Sequence, residues 1–378
     1  MLQPPVRGRG ADRTTLPWYA TPLIALLFAG FTSDTDSTRY PHSGMAPSGP
    51  AAATPFFSGV FLGDQASRPE RIESALREFG RAVGSRPALV KTFFTLEDDF
   101  SRRGWAGRVL RRVHSAGATN YVALDLRWTG APQTNLLEAI AAGAADDAIR
   151  RAARQLREID GPVLLEPAWE MNGNWSYPWQ GEANGKNEQA PARFGAAWRR
   201  LVDLFRDELG SNVRWVFSPN VGNPVAGAAG EDHWNWYGNY YPGDAWVDYV
   251  GAHGFNAPSL WRAPYRDFRT LFDGEETGRM LSDLAARYPD KPIIIGEFAS
   301  EESPGRDKGE WIRSAYRFLQ SHPRVVGAVW FNMKKESDWQ VDSSAAALVA
   351  FRDAMRGPRV TSTFDETFHR APTRSAAP

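Results

Sequence analysis

Two glutamates stand at the ends of apolar runs: Glu170 follows PVLLEPAW, and Glu297 follows KPIIIG. A carboxylate delivered by a buried strand is costly unless it is paired or used. A single residue of this kind is commonly a salt-bridge partner or a helix cap. Two that meet in one cavity are different, because burial and mutual repulsion drive their proton affinities apart. One then keeps its proton as an acid while the other stays ionised as a nucleophile. That is the division of labour that cleavage of a glycosidic bond requires. Large rings gather near both residues: Trp169, Trp175 and Trp179 around the first, Tyr241 and Phe255 farther on, Trp330 and Trp339 after the second. Aromatic faces offer a flat apolar surface to the C–H side of a pyranose. Asn172, Asn220 and His253 supply polar partners for its hydroxyls. Together these residues form the expected sugar-binding set, with Glu170 and Glu297 as the catalytic pair.

The composition removes competing chemistries. The 378 residues include no cysteine, so disulfides, thiolate nucleophiles and iron–sulfur clusters are excluded. Six histidines leave little material for a metal centre, and neither H-x-H nor a D-x-D-x-D-G loop is present. No cofactor and no metal are expected. Lys plus Arg and Asp plus Glu both number 44, so the formal net charge is zero. A nucleic-acid binder needs a basic face that this balance does not announce. The expected partner is an uncharged polysaccharide or oligosaccharide, met by a monomer. Fifteen tryptophans are an unusual number. They divide into the ring set above and a packing set on helices, such as Trp198 and Trp311.

Eight short apolar runs must position the glutamates: residues 56–63, 87–94, 119–126, 162–169, 212–219, 247–254, 292–298 and 325–331. Near-continuous apolar character marks strands buried on both faces. Between them lie helical patterns, the clearest with Trp198, Leu201, Val202 and Phe205 at helix spacing, another with Ile149, Ala152 and Leu156. Eight alternating units over about 300 residues match a (β/α)8 TIM barrel, here a single catalytic domain at residues 56–357. A barrel of this kind works at the C-terminal ends of its strands, where Glu170 and Glu297 stand. An open doubly wound sheet is the architectural alternative, but no G-x-G-x-x-G follows the first strand.

Residues 1–33 read as a signal peptide or N-terminal membrane anchor. Arg7, Arg9 and Arg13 precede an apolar run at residues 16–31, short for a spanning helix. The expected location is secreted or in the cell envelope. Residues 34–55 are rich in Ser, Thr, Pro and Gly and read as a linker. Residues 358–378 are expected to form a loosely ordered tail.

The segments PVLLEPAWEMNGNWSYPW, RWVFSPN, YYPGDAWVDYVGAHGFN, KPIIIGEFAS and VWFNMKKESDWQVDSS resemble glycoside hydrolase family 26 in sequence and order. The resemblance covers nearly all of residues 56–345. It implies a (β/α)8 barrel that retains anomeric configuration through a covalent glycosyl-enzyme, acting within β-mannan or a related β-glycan. It assigns Glu170 as acid/base and Glu297 as nucleophile, and gives Trp175 and Trp339 as sugar platforms. Three positions depart from the family pattern. Trp169 stands where a His usually precedes the acid/base, Glu166 where Arg is common, and Phe255 where a Tyr hydroxyl often reaches the nucleophile. Glu166 is expected to point outward or low in the barrel and to pair with an arginine. Two alternatives accompany this reading: a catalytically inactive barrel that binds polysaccharide, and a glycosidase dedicated to a bacterial exopolysaccharide.

Overall fold

The computed structural model describes residues 54–65, 67–132, 134–209, 212–222 and 233–365. The segment expected to be a leader, residues 1–33, lies outside them, as does nearly all of the expected linker. Within the described residues no helix is long and apolar enough to cross a membrane.

Strands and helices alternate along the chain. They are β1 (Phe56–Phe61), α1 (Ile72–Val83), β2 (Leu89–Thr95), α2 (Trp105–Ser115), β3 (Thr119–Asp125), α3 (Leu136–Ala141), α4 (Asp146–Leu156), β4 (Val163–Pro167) and α5 (Gln189–Leu209). The second half adds β5 (Val213–Phe217), β6 (Tyr249–Asn256), α6 (Pro258–Trp261), α7 (Phe268–Asp273), α8 (Met280–Arg287), β7 (Ile293–Ser300), α9 (Lys308–Ser321), β8 (Val325–Phe331), α10 (Ala345–Ala354) and β9 (Val360–Thr361). Each of β1 to β8 falls within one of the eight apolar runs or overlaps it. All pair in parallel in sequence order, and β1 bonds to both β8 and β2, which closes an eight-stranded barrel. The core has two parts. Phe57, Leu89, Tyr121, Leu164, Val216, Tyr249, Ile294, Val326 and Val329 fill the barrel's interior. A larger layer packs the strands against the helices, and there Trp198, Leu201, Val202 and Phe205 turn one face of α5 inward.

The tail expectation is corrected for residues 358–365. Arg359 donates to the carbonyls of Thr54, Gln320, His322 and Val325, which pins this segment across the first strand's entry. Val360 and Thr361 then pair in parallel with β1. Phe364 packs on Phe57 and Tyr249 and helps fill the barrel's interior.

Two irregularities shape the working end. The β6–β7 register shifts between Ala252 and His253, and the β7–β8 register shifts between Ile295 and Phe298. Gly296 lies in the interrupted stretch. An extra residue of this sort breaks the in–out alternation and re-aims the side chains beside it. A Cβ on Gly296 would lie 2.4 Å from His253 Nε2 and 2.5 Å from Glu166 Oε1, so only glycine leaves room for those groups. After β4, Ala168 and Glu170 have φ of 50° and 54°, left-handed values for non-glycine residues. Such conformations cost about 1–3 kcal/mol each and gather at functional sites.

Candidate active site

The strand ends open into a cleft. Trp169, Glu170, Trp175, Asn220, Phe255, Glu297 and Trp339 line it, as the sequence leads one to expect. Tyr177, Phe93, Trp261 and Phe331 complete much of the apolar wall.

At the floor, the two carboxyl groups approach one atom. His253 Nδ1 lies 3.3 Å from Glu170 Oε1 and 3.9 Å from Glu297 Oε1. The sum of those distances is the upper limit on the separation of the two oxygens. Asn220 Nδ2 donates to Glu170 Oε1 at 3.0 Å. Asn172 holds Asn220 in turn, accepting from its backbone N–H and donating to its carbonyl. Asn172 therefore stands behind the wall, not in it.

Beneath the pair lies a buried charge cluster. Lys91, from β2, places its ammonium 2.8 Å from Glu297 Oε1, 2.5 Å from Glu166 Oε2 and 3.3 Å from His253 Nε2, and also donates to the Gly296 carbonyl. The Tyr121 hydroxyl donates to Glu166 Oε1 at 2.7 Å, and His253 Nε2 lies 2.9 Å from the same oxygen. Glu166 thus sits low in the barrel, one of the two expected placements, and it pairs with a lysine and a histidine, not with an arginine. Burial pushes its carboxyl up, but the neighbouring Lys91 and His253 charges overcome this and hold it down to about 2. Burial and Lys91 push the His253 imidazole down, and Glu166 and Glu297 more than offset them, drawing it up to about 9. Burial raises the Glu297 carboxyl above its ordinary value, opposed by Lys91 and His253 and reinforced by Glu170 and Glu166. Glu166, His253 and Glu297 bring ligand-type atoms within 4.8 Å of one another. The Lys91 ammonium already sits among them, so the cation of this cluster is a side chain.

Trp169 occupies the family's histidine position without doing a histidine's work. Its ring packs on Phe93, Tyr177 and Trp179 at centroid distances of 5.4, 5.6 and 4.7 Å. Its indole hydrogen-bonds the Tyr177 hydroxyl, and burial beside Glu170 and Glu297 keeps that phenol neutral far above its ordinary range.

Three more expected sugar contacts are corrected besides Asn172. Trp179 is fully buried behind Trp169 and donates to its carbonyl at 2.7 Å. Tyr241 stacks on Tyr288 with centroids 4.0 Å apart and donates to Asp244, away from the cleft. Trp330 faces outward onto Phe298, Trp311 and Phe351. His253 keeps a place in the site, but below the carboxyls and fully buried. Sequence reasoning passed over Lys91, although a lysine inside PALVKTFF was a visible break in an apolar strand. Tyr177 and Trp261 carried no such signal.

A family model, Glycosyl hydrolase family 26, matches residues 134–301, which include both glutamates, Glu166 and His253. The chain is 34% identical over 301 residues to Endoglucanase H of Acetivibrio thermocellus, covering 79% of this chain and 30% of that protein. The chain belongs to glycosyl hydrolase family 26. It is also 28% identical over 196 residues to Mannan endo-1,4-beta-mannosidase A and B of Caldalkalibacillus mannanilyticus, covering 51% of this chain and 31% of that one. The chain therefore spans about 30% of the length of these relatives. A modular endo-beta-1,4-mannanase from Cellulomonas fimi superposes with a TM-score of 0.59 at 18% identity, over 84% of this chain and 74% of that one. At that identity the likeness speaks for the (β/α)8 fold alone.

This family member holds its Trp339 by an internal strap. The buried Lys308 ammonium donates to the carbonyls of Asp338 and Gln340 and to Ser343 Oγ, at 3.0, 2.8 and 2.8 Å. The Trp330 indole donates to the carbonyl between them, that of Trp339, at 2.8 Å. Three consecutive carbonyls are thereby fixed. Burial pushes the Lys308 amine down to about 8 against the pull of Glu302, Asp338, Asp342 and Glu301. Lys308→Met strips two carbonyls of their donor, which costs about 1–3 kcal/mol per unpaired group. The expected result is a lower Tm in thermal unfolding and a raised KM for glycan, since the ring that lines the cleft loses its anchor.

Proposed function

We propose that this chain hydrolyses an uncharged β-linked polysaccharide, cutting within the polymer and retaining anomeric configuration. The observation that carries this reading is the joint approach of Glu170 and Glu297 to His253 Nδ1, at 3.3 and 3.9 Å, beneath a cleft walled by aromatic rings. The limit these distances set admits the carboxyl spacing of about 5–5.5 Å that a double displacement uses. Glu297 attacks the anomeric carbon while Glu170 gives its proton to the departing oxygen. Water then attacks the same carbon, passing a proton to Glu170 and freeing the Glu297 carboxylate. The Trp175 indole N–H is buried and unpaired in the cleft wall, a ready donor for a sugar hydroxyl. Charges on the wall pair with each other, Arg266 with Glu276 and Lys335 with Glu336, each at 2.7 Å, which suits a neutral polymer. The names of the relatives direct the substrate reading to β-mannan or a related β-glucan. We further propose that the protein acts as a monomer, secreted or in the cell envelope, with residues 16–31 as leader or anchor.

A panel of β-mannan, mixed-linkage β-glucan, xylans and bacterial exopolysaccharides tests this, with product masses and NMR of the first-formed anomer. The expected result is oligosaccharides that appear first as the β-anomer. First appearance of the α-anomer defeats the retaining mechanism. Tight binding with no new reducing ends identifies an inactive barrel, and cleavage confined to an exopolysaccharide moves the substrate.

A further inference from the structure

We propose that Glu166 is the positioning residue of this site, a third carboxylate that fastens one cation beneath each catalytic glutamate, Lys91 under Glu297 and His253 under Glu170. The inference rests on the double displacement proposed above and adds a residue to it. Lys91 Nζ and His253 Nε2 lie only 3.3 Å apart, and two buried positive charges at that distance repel strongly. Glu166 touches both, at 2.5 and 2.9 Å, and spends one carboxylate oxygen on each. Every element around it has a part. The Tyr121 hydroxyl of β3 completes the Glu166 hydrogen bonds. Gly296 of β7 gives its carbonyl to Lys91 and keeps the space clear for the Glu166 and His253 side chains. Asn220, beyond β5, bonds the Glu170 oxygen that faces His253. The histidine's inner nitrogen is thus committed to Glu166, and its outer one faces both catalytic carboxyls.

The arrangement keeps its buried charge balanced through the reaction. Before attack, Lys91 and an imidazolium at His253 carry two positive charges, and Glu166 and Glu297 carry two negative ones, with the proton on Glu170. Attack forms the bond from the Glu297 oxygen to the anomeric carbon and breaks the glycosidic bond, while the Glu170 proton goes to the leaving oxygen. Glu297 is then a neutral ester and Glu170 a carboxylate. The buried net charge is zero on both sides of the step. The negative charge moves from one neighbour of His253 Nδ1 to the other without leaving the reach of that cation. Removing the Glu166 charge leaves two facing cations with one anion, and the cheapest relief is loss of the His253 proton. The carboxylate that proton transfer leaves on Glu170 then has no cation at 3.3 Å to receive it.

The experiment uses Glu166→Gln in the full chain, which keeps the side chain's size. NMR of 15N-labelled histidine follows His253, one of six histidines. In the parent it is expected to stay an imidazolium up to about pH 9, and in the variant, where Glu166 no longer opposes burial and Lys91, to lose its proton at a markedly lower pH. On polysaccharide, kcat is expected to fall by about 10²-fold with KM little changed, and by much less on an aryl glycoside whose leaving group needs no proton. Glu166→Asp, which restores the charge, is expected to return the His253 titration toward the parent's. An unchanged His253 titration in Glu166→Gln overturns the proposal, and so does an equal loss on both substrates. The NMR readout needs no turnover, so failure of the hydrolase reading would be seen separately. Should Glu166→Gln fail to fold, adding Lys91→Met removes the excess cation and is expected to restore the fold. No gain from the second substitution would count equally against the idea.

Discussion

A Glu297→Ala protein is expected to lose turnover of its glycan by about 10⁵-fold or more, and to regain part of it when azide is supplied. Removal of an acting nucleophile costs about 10⁶ in kcat where it has been dissected in a hydrolase, because the remaining groups have no bond to complete. The structure gives reasons to expect a folded variant. Lys91 keeps its 2.5 Å contact with Glu166, so deletion of Glu297 does not strand a buried ammonium. On either side of the interruption at Gly296, Ile295 and Phe298 pair with both β6 and β8, contacts that do not involve the carboxylate. The vacated space lies beside Lys91 and His253, two groups that draw a small anion into the site. Azide there attacks from the side of the sugar opposite the leaving group. The expected product from a β-linked aryl glycoside is therefore the α-glycosyl azide, identified by NMR. Appreciable unaided activity in Glu297→Ala would take the nucleophile's role from this residue, and a β-configured azide would place the missing group on the other face.

The barrel was legible because its strands are buried on both faces, and such strands announce themselves as uninterrupted apolar runs whatever their partners. The glutamates were legible because each breaks such a run at its end, in a motif with a known order. What the runs hide is parity. Trp330 and Phe331 are adjacent on β8 and point to opposite sides; the phenylalanine lines the cleft and the tryptophan packs against α9 and α10. A ring's type says nothing about which side it takes, so Trp330 was credited with its neighbour's place. Trp179 and Tyr241 were misplaced for a related reason, since loop rings bury themselves on other rings as readily as they stay open for sugar. The charge cluster was hidden more deeply. Lys91, Glu166 and His253 are far apart in sequence, and each alone reads as an oddity within a strand. Their meeting depends on barrel closure and on the shifted register at Gly296, which no local pattern encodes. The Glu166 departure from the family's arginine makes sense only with Lys91 in view.

Glu170→Ala should divide substrates by their leaving groups. Loss of the proton donor is expected to cut kcat on polysaccharide by about 10³–10⁴-fold, within the range that general acid–base catalysis supplies. On a dinitrophenyl glycoside the first step needs no proton, so Glu297 still attacks at near the parent's rate. Water then lacks its base, the glycosyl-enzyme accumulates, and KM falls because the slow step now follows bond cleavage. A burst of dinitrophenol equal to the enzyme concentration, with the sugar attached in the intact-protein mass, is the signature. Azide should release this block, because it attacks without needing a base, and the product should be the β-glycosyl azide. That anomer is opposite to the one expected from Glu297→Ala. The two variants thus assign each carboxyl to its own face of the sugar by product configuration, independent of rate. The geometry at His253 Nδ1 bears on this result as well. With Glu170 gone, the imidazolium faces Glu297 alone, at 3.9 Å, and one carboxylate has the support that two had shared. Deletion of the acid/base removes one of the charges that raise the Glu297 carboxyl, so the nucleophile should ionise more readily than in the parent, and the burst should persist at least to the acid limit of the parent's activity. A burst that disappears at mildly acid pH would show that His253 does not serve Glu297, whereas one that survives there fits a cation poised between the two glutamates.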